Sequence, residues 1–357
     1  MIDPRLEYAS TLSSRFYFDA DVLAQEQRNV FARTWQLVGN AAQVREAGQF
    51  FTAVVADEPL LIVRGNDGVL RAMSNVCRHR AGPIARGEGT RPVLQCGYHG
   101  WTYSLDGRLA ATPEFDGVQD FDRASCRLPQ FRVEIWNELV FANLDPDAES
   151  LTDFLGELLR DMPPHDYSGF RLAHRKTWEL DCNWKVYVDN YLEGYHIPIV
   201  HPGLFRELDY PNYRTDVKRN YSIQVAPTRS NRDSTGRIRT SGGADQVRYF
   251  WIFPNLMLNV YPDNFSTNLV VPLGPGRTAT LFDWYFPHTD QSKQVIDDTV
   301  AFSDEIQLED IDICETVQRG LRSSTYDAGR FSPRRENGVH HFHCLYEQYM
   351  RSNLSRA

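Results

Sequence analysis

Two short pairs of metal-binding side chains stand in the first third of the chain: Cys77-Arg78-His79 and, after the sixteen residues Arg80 to Gln95, Cys96-Gly97-Tyr98-His99. Two Cys/His pairs on separate loops can converge on one point, and two chemistries accept them. In a [2Fe-2S] cluster two thiolates hold one iron and two neutral imidazoles the other, which raises the reduction potential above that of an all-cysteine cluster. A tetrahedral zinc knot also takes two Cys and two His. The C-x-H offset is unlike the wider first pair of common zinc fingers, so spacing favours iron–sulfur and leaves zinc as the alternative. Gly82-Pro83 after the first pair and Gly97, Gly100 and Trp101 around the second fit tight loops with backbone N–H groups free for cluster sulfurs. Cys126, Cys182, Cys314 and Cys344 have no such partners and are expected to pack as small residues.

A second constellation follows. Asn183-Trp184-Lys185 opens a helical pattern reaching His196, and His201 comes after Ile197-Pro198-Ile199-Val200. Five residues on an unbroken helix would aim the two imidazoles about 140° apart. Pro198 is expected to end or kink the helix near Ile197 and let His201 swing back toward His196. Two such histidines and one carboxylate would form a facial triad for iron with open positions; the alternative is two unrelated packed or surface histidines. Helical phase suggests the acid. From Gln291 to Leu321, Phe302, Ile306, Ile313, Cys314, Val317 and Leu321 form one stripe, and Asp310 falls inside it. A carboxylate on a buried face costs several kcal/mol unless charge-paired or metal-bound, so Asp310 is the best candidate among its acidic neighbours. Phase alone leaves open an acid satisfied by Arg or by backbone N–H groups.

The elements that must position these groups suggest an α+β chain of 357 residues. Strand-like runs at Phe50 to Val55, Leu60 to Val63, Val69 to Ser74, Trp101 to Ser104 and Arg132 to Leu144 build a small β domain. Pro163-Pro164-His165 breaks a short helical pattern after it. Strands are next expected at Ser222 to Val225, Val247 to Phe253, Leu256 to Tyr261, Ser266 to Val271 and Ala279 to Phe286. Helices are expected at Trp184 to His196, Gln291 to Leu321 and Val339 to Met350. Arg229 to Gly243 reads as a mobile loop. The break at Pro163-Pro164-His165 marks a domain boundary near Asp145 to Pro164. His165, His174, His288, His340, His341 and His343 are expected to be packing or surface groups. With 38 basic and 47 acidic residues the formal charge is −9, so nucleic acid and anionic membranes are not expected partners. Met1 to Leu12 has no apolar signal-type run and no segment reaches membrane length, so a cytoplasmic protein is expected.

Taken together, the two sites resemble those of the catalytic α subunits of Rieske non-haem iron oxygenases, over nearly the whole chain. Cys77, His79, Cys96 and His99 match the cluster motif, and Asn190, Glu193, Tyr195, His196 and His201 the mononuclear iron motif; Asp310 matches the carboxylate ligand. The resemblance implies an N-terminal all-β Rieske [2Fe-2S] domain over residues 46–150 and a C-terminal antiparallel-sheet catalytic domain flanked by helices over residues 151–357, with mononuclear Fe(II) and with residues 1–45 as an N-terminal segment packing on the catalytic domain. It further implies a homotrimer or a multiple of it, in which electrons pass from the cluster through His99 of one subunit and across Glu193 of the next to His196. Many members have Asp where this chain has Glu193. Asn190, by the same resemblance, lies near the iron without being a regular ligand.

The nearest pattern is the choline, glycine-betaine and carnitine monooxygenase branch. The implied activity is O2-dependent hydroxylation of a small organic substrate: methyl hydroxylation or N-demethylation of a methylated amine, or hydroxylation or cis-dihydroxylation of an aromatic compound. Tyr210, Phe205, Phe250, Trp251, Phe253 and Tyr261 are candidates for an aromatic wall facing a quaternary ammonium, or for sheet core. No G-x-G-x-x-G follows a strand, so electrons are expected from an NAD(P)H-dependent reductase, directly or through a ferredoxin. The competing non-enzyme reading is a zinc-stabilised binding module.

Overall fold

The computed structural model describes residues 1–162, 169–229, 238, 246–261, 263–287 and 292–351. Pro163-Pro164-His165, His288 and most of the polar loop from Arg229 to Gly243 lie outside the described residues. The chain forms two compact units, Gln27–Phe154 and, from both ends of the chain, Met1–Glu26 with Leu155–Ala357. The first division falls inside helix α1 (Ala20–Asn29). It therefore lies earlier than the boundary at residues 45 and 46 drawn from sequence. The cause is strand β1 (Gln36–Asn40), which pairs antiparallel with a strand of the small unit, Gln36 opposite Ala142.

The small unit continues with β2 (Gln49–Val55), β3 (Glu58–Arg64), β4 (Leu70–Ser74), β5 (Glu88–Thr90), β6 (Leu94–Gln95), β7 (Thr102–Tyr103), β8 (Leu109–Ala111), β9 (Gln130–Trp136) and β10 (Leu139–Asn143). Seven strands form one sheet in the order β1-β10-β9-β4-β3-β2-β5, and β6-β7-β8 form a second. Period-two alternation divides β3 between two cores. Leu61 and Val63 pack with Phe50, Met73, Leu94, Trp101 and Tyr103, whereas Leu60 and Ile62 pack with Ala72 and Val140. The single strand expected over Arg132 to Leu144 is a hairpin: Asn137 and Glu138 both adopt positive φ, 46° and 65°, turning the chain in the way right-twisted strands require.

In the larger unit, β11 (Phe170–Leu180), β12 (Arg214–Val217), β13 (Tyr221–Pro227), β14 (Gln246–Ile252), β15 (Leu256–Val260), β16 (Phe265–Gly274) and β17 (Arg277–Pro287) form one antiparallel sheet. Its order, β11-β17-β16-β15-β14-β13-β12, is a run of consecutive hairpins closed by β11 at the far edge. Strand β11 escapes sequence reading because its side chains are mostly exposed and do not alternate; its ladder runs from Phe170 opposite Pro287 to Leu180 opposite Thr278. Among the described residues the further α-helices are α2 (Leu151–Leu155), α3 (Leu158–Asp161), α4 (Trp184–Tyr191), α5 (Ile197–Val200), α6 (Pro202–Glu207), α7 (Lys293–Leu321) and α8 (Asn337–Arg351). Among the described residues no helix is long and apolar enough to cross a membrane.

Helix α4 positions half of the second site and is buried on every side from Trp184 to Val188. Asn183 caps it, accepting from Lys185 N–H. Lys185, fully buried, pairs with Glu26 at 2.5 Å, and Glu26 also accepts from Trp184 Nε1 at 2.8 Å and Tyr346 Oη at 2.6 Å. A second buried network holds Asp189, which accepts from Tyr17 Oη at 2.7 Å and lies 3.0 Å from His343 Nε2. His343 is thus a satisfied packing group, as its sequence context suggests.

Candidate metal centres

In the small unit, loops place Cys77 and Cys96, both buried, together with His79 and His99. The two imidazoles lie 4.8 Å apart between ring centres, and Trp101 stacks on His79 at 4.8 Å with planes 9° apart. Backbone geometry closes the loops: Cys77 N–H donates to Gly82 O at 2.8 Å, Ala81 N–H to Cys77 O at 3.0 Å and Gly100 N–H to Cys96 O at 3.1 Å. Gly82 leaves room here, since a Cβ would stand 3.0 Å from Cys96 Sγ and 3.2 Å from Tyr98 Cβ. Burial pushes the Cys96 thiol up, while the Tyr98 and His99 backbone N–H groups pull it the other way.

Two observations test whether this cradle suits a cluster. His79 Nδ1 is buried with no hydrogen-bond partner among the described residues, an arrangement that is costly unless something binds it. Tyr103 Oη lies 3.3 Å from Cys77 Sγ and accepts from Arg78 N–H at 3.0 Å, the kind of outer contact that tunes a thiolate ligand. The donor set and its surroundings fit an iron–sulfur group.

The second site forms where α4 ends. The helix stops at Tyr191 with Leu192 as C-cap, earlier than Pro198 predicts. Pro198 instead stands in the first turn of α5, where its missing N–H costs nothing. The break turns His201 back, so the two imidazole centres are 4.9 Å apart. His196, His201 and Asp310 offer one ligand atom each, all within 4.8 Å of one another; among the described residues theirs is the only such group gathered closely enough for a single ion. Asp310 Oδ1 lies 3.0 Å from His201 Nε2 and 3.8 Å from His196 Nε2, and accepts from Asn190 Nδ2 at 2.6 Å. Asp310, the acid that helical phase singles out, lies beside both histidines. The same phase misplaces Val317, which is 43% exposed, while Gln307 and Gln318 take buried positions.

The other ring nitrogens are also held. His196 Nδ1 is 2.6 Å from Glu193 Oε1, and His201 Nδ1 is 2.6 Å from Glu309 Oε2. Each carboxylate thereby aims the opposite nitrogen, Nε2, at the shared point beside Asp310. Glu309 has no place in the sequence reading as a partner of His201; its adjacency to Asp310 is the only hint. Burial lowers the proton affinity of His201, but hydrogen bonds and charge from Asp310 and Glu309 outweigh it and hold the imidazole above its ordinary range. The same field favours a metal cation at this point.

Beside the three residues lies a cavity of about 120 Å³. Tyr191, Tyr249, Tyr261, Trp284 and Phe302 supply rings, and Glu193, Asp263 and Asp310 supply carboxylates. Of the six aromatic candidates, only Tyr261 reaches this lining. Phe250, Trp251 and Phe253 are fully buried core, and Phe205 and Tyr210 pack against a separate cluster that includes Ile197, Leu204 and Tyr249.

A sulfur-and-imidazole cradle in a β unit and a two-histidine, one-carboxylate face against an antiparallel sheet define a class of oxygen-using iron enzyme. Family comparison matches residues 34–122 to the Rieske [2Fe-2S] domain and 169–352 to the ring hydroxylating alpha subunit (catalytic domain); the chain belongs to the Rieske-type ring-hydroxylating oxygenase family. Chloroplastic choline monooxygenase of Arabidopsis thaliana is 36% identical over 358 residues, spanning 96% of this chain and 84% of that protein. The carnitine monooxygenase oxygenase subunit of Escherichia coli strain K12 is 34% identical, spanning 95% and 94%. The quaternary ammonium Rieske monooxygenase CntA in complex with L-carnitine superposes with a TM-score of 0.84 at 30% identity, over 97% of each chain. Naphthalene 1,2-dioxygenase from Rhodococcus sp., at 18% identity and a TM-score of 0.77, shares the fold. The protein is therefore an oxidoreductase whose cofactors are a Rieske [2Fe-2S] cluster and mononuclear iron, and it depends on a separate electron-transfer partner. The zinc-module alternative falls with these matches.

Proposed function

We propose that this chain is the terminal oxygenase that hydroxylates an N-methyl group of a small methylated ammonium compound. Cys77, His79, Cys96 and His99 hold the cluster, and His196, His201 and Asp310 hold Fe(II). The iron, when bound, supplies O2 activation with electrons delivered through the cluster. Asn190 orients Asp310, and Glu193 orients His196. The net change is one O2, two electrons and two protons consumed; one oxygen enters a C–H bond and the other leaves as water. A hydroxymethyl group on nitrogen then collapses to formaldehyde and the demethylated amine.

The observation that carries this reading is the lining of the cavity: carboxylates and ring faces together suit a compact cation that cannot donate hydrogen bonds. The likeness to enzymes named for choline and carnitine agrees with it. We place electron transfer between copies in a homotrimer or a multiple of it, with Glu193 beside the neighbouring subunit's His99. Exposed apolar side chains at both pockets support that contact: Tyr98 next to His99, and Tyr195 and Ile199 beside His196. The electron source is an NAD(P)H-dependent reductase, with or without a ferredoxin. Purified holoenzyme with a surrogate reductase should couple O2 uptake to product on methylated ammonium compounds, releasing formaldehyde. Coupled oxidation of aromatic acids, with the ammonium compounds inert, would replace this reading with arene hydroxylation.

A further inference from the structure

Three carboxylates line the cavity, and two are committed to the iron residues. Glu193 accepts from His196 N–H and lies against His196 Nδ1, while Asp310 accepts from Asn190 and faces both imidazoles. Asp263 is the remaining one. It sits in the turn between β15 and β16, closed by Tyr261 N–H donating to Asn264 O at 2.9 Å. Among the described residues no cation pairs with it.

Its setting is built rather than incidental. Asn264 Nδ2 donates to Asp263 Oδ1 at 2.7 Å, which fixes the amide, since the flipped orientation would press two oxygens together. The Asn264 side-chain carbonyl is left buried and without a partner among the described residues, adding its negative end to the carboxylate's. Asn268, 4% exposed and also on the lining, has a second unpartnered buried carbonyl oxygen. Rings flank this corner: Tyr249 and Tyr261 meet edge to face at 6.2 Å, and Tyr191 and Tyr249 at 6.5 Å. A cation bound in this corner would face the carboxylate and both carbonyl dipoles at once.

Building on the ammonium reading above, we infer that Asp263 is the counter-ion for the substrate's positive nitrogen and the main determinant of charge selectivity. Asn264 sets its orientation. The rings of Tyr249 and Tyr261 surround the methyl groups, and the carboxylate supplies the attraction that a carbon isostere cannot use.

The test is equilibrium binding by calorimetry to oxidised holoenzyme without reductant. The probes are choline, L-carnitine and γ-butyrobetaine, with 3,3-dimethylbutan-1-ol as the neutral isostere of choline. Wild type should bind at least one ammonium compound, and choline in preference to its isostere if choline is among those bound. Asp263→Asn should weaken the bound ammonium roughly ten- to hundredfold while changing the isostere by less than about twofold, with Asp263→Glu recovering most of the loss. Unchanged cluster absorbance and iron content would certify the fold. Equal ammonium affinity in Asp263→Asn, or equal weakening of cation and isostere, would overturn the role of Asp263 and leave the ammonium reading intact. A wild type that binds none of the ammonium probes would remove the reading itself.

Discussion

The two metal pockets reach the same end, a set of donors facing one point, by different routes. In the small unit all four donors fall between Cys77 and His99, on loops closed by local backbone hydrogen bonds such as Cys77 N–H to Gly82 O. In the larger unit His201 and Asp310 are 109 residues apart, and they meet because buried helix α4 is anchored beside α7. Local loops tie a pocket to short motifs; a pocket assembled across a fold depends on distant side chains that never touch the ligand. Lys185, Glu26 and Asp189 are such residues here. The difference teaches where damage should spread and where it should stay.

The largest effect separates the pockets outright. Asp310→Ala should abolish substrate oxidation and mononuclear iron binding while leaving the cluster's visible spectrum in place. Cys96→Ala should remove that spectrum while the protein still takes up one Fe(II) per chain in an anaerobic titration. If either variant emptied both pockets, the contrast would fail. Next comes the buried frame. Lys185→Ala leaves Glu26 charged in a fully buried site and should cost about 3–5 kcal/mol, read as a lowered urea midpoint, whereas Lys185→Met with Glu26→Gln should recover much of it. A single variant of wild-type stability would show that α4 does not lean on this pair.

The same contrast explains what is legible in the sequence. Cys77-x-His79 and Cys96-x-x-His99 announce their pocket because ligand spacing on a loop is itself the geometry. Asp310 is legible through helical phase and the family motif, and Glu309 hardly at all, because its partner His201 lies far away in sequence, between α5 and α6. Pro198 is misread because proline both ends helices and begins them, and only the early stop at Tyr191 decides between the two. In the fold, strands with alternating apolar residues are found readily. Polar edge strand β11 is not, since its stability comes from its ladder with β17 rather than from its own burial pattern. The Asn137-Glu138 turn hides inside an apolar run because Glu is an uncommon residue at positive φ.

Acid sharpens the comparison through a histidine with no metal to bind. In α8, His341 is lowered to about 4 by burial, a hydrogen bond to the Lys218 backbone only partly opposing it, and its Nε2 has no partner among the described residues. Its folded value lies below the ordinary 6.5, so the unfolded chain takes up the proton first. The stability contributed by neutral His341 is present above pH 6.5 and is lost as pH falls toward 4. The full loss is at most about 3 kcal/mol. Urea midpoints at pH 7 and 4.5 should fall further for wild type than for His341→Gln, and an identical fall would show that this side chain is not the sensor.

The smallest effect tests how far the distant-support principle reaches. Glu309 touches no substrate; it holds His201 Nδ1 at 2.6 Å and so fixes which nitrogen faces Asp310. Removing such a partner typically weakens metal binding or activity about 10–100-fold. Glu309→Ala should show that loss in Fe(II) affinity of cluster-loaded protein. Glu309→Gln keeps an acceptor for the ring N–H but lacks the charge, so it should fall between Ala and wild type. Co(II) substitution offers a second readout, since a His201 ring free to rotate should broaden the ligand-field bands in Ala more than in Gln. If Gln and Ala were equally weak, the charge of Glu309 rather than its aim would be what His201 needs; if both bound Fe(II) like wild type, the triad would stand without this support.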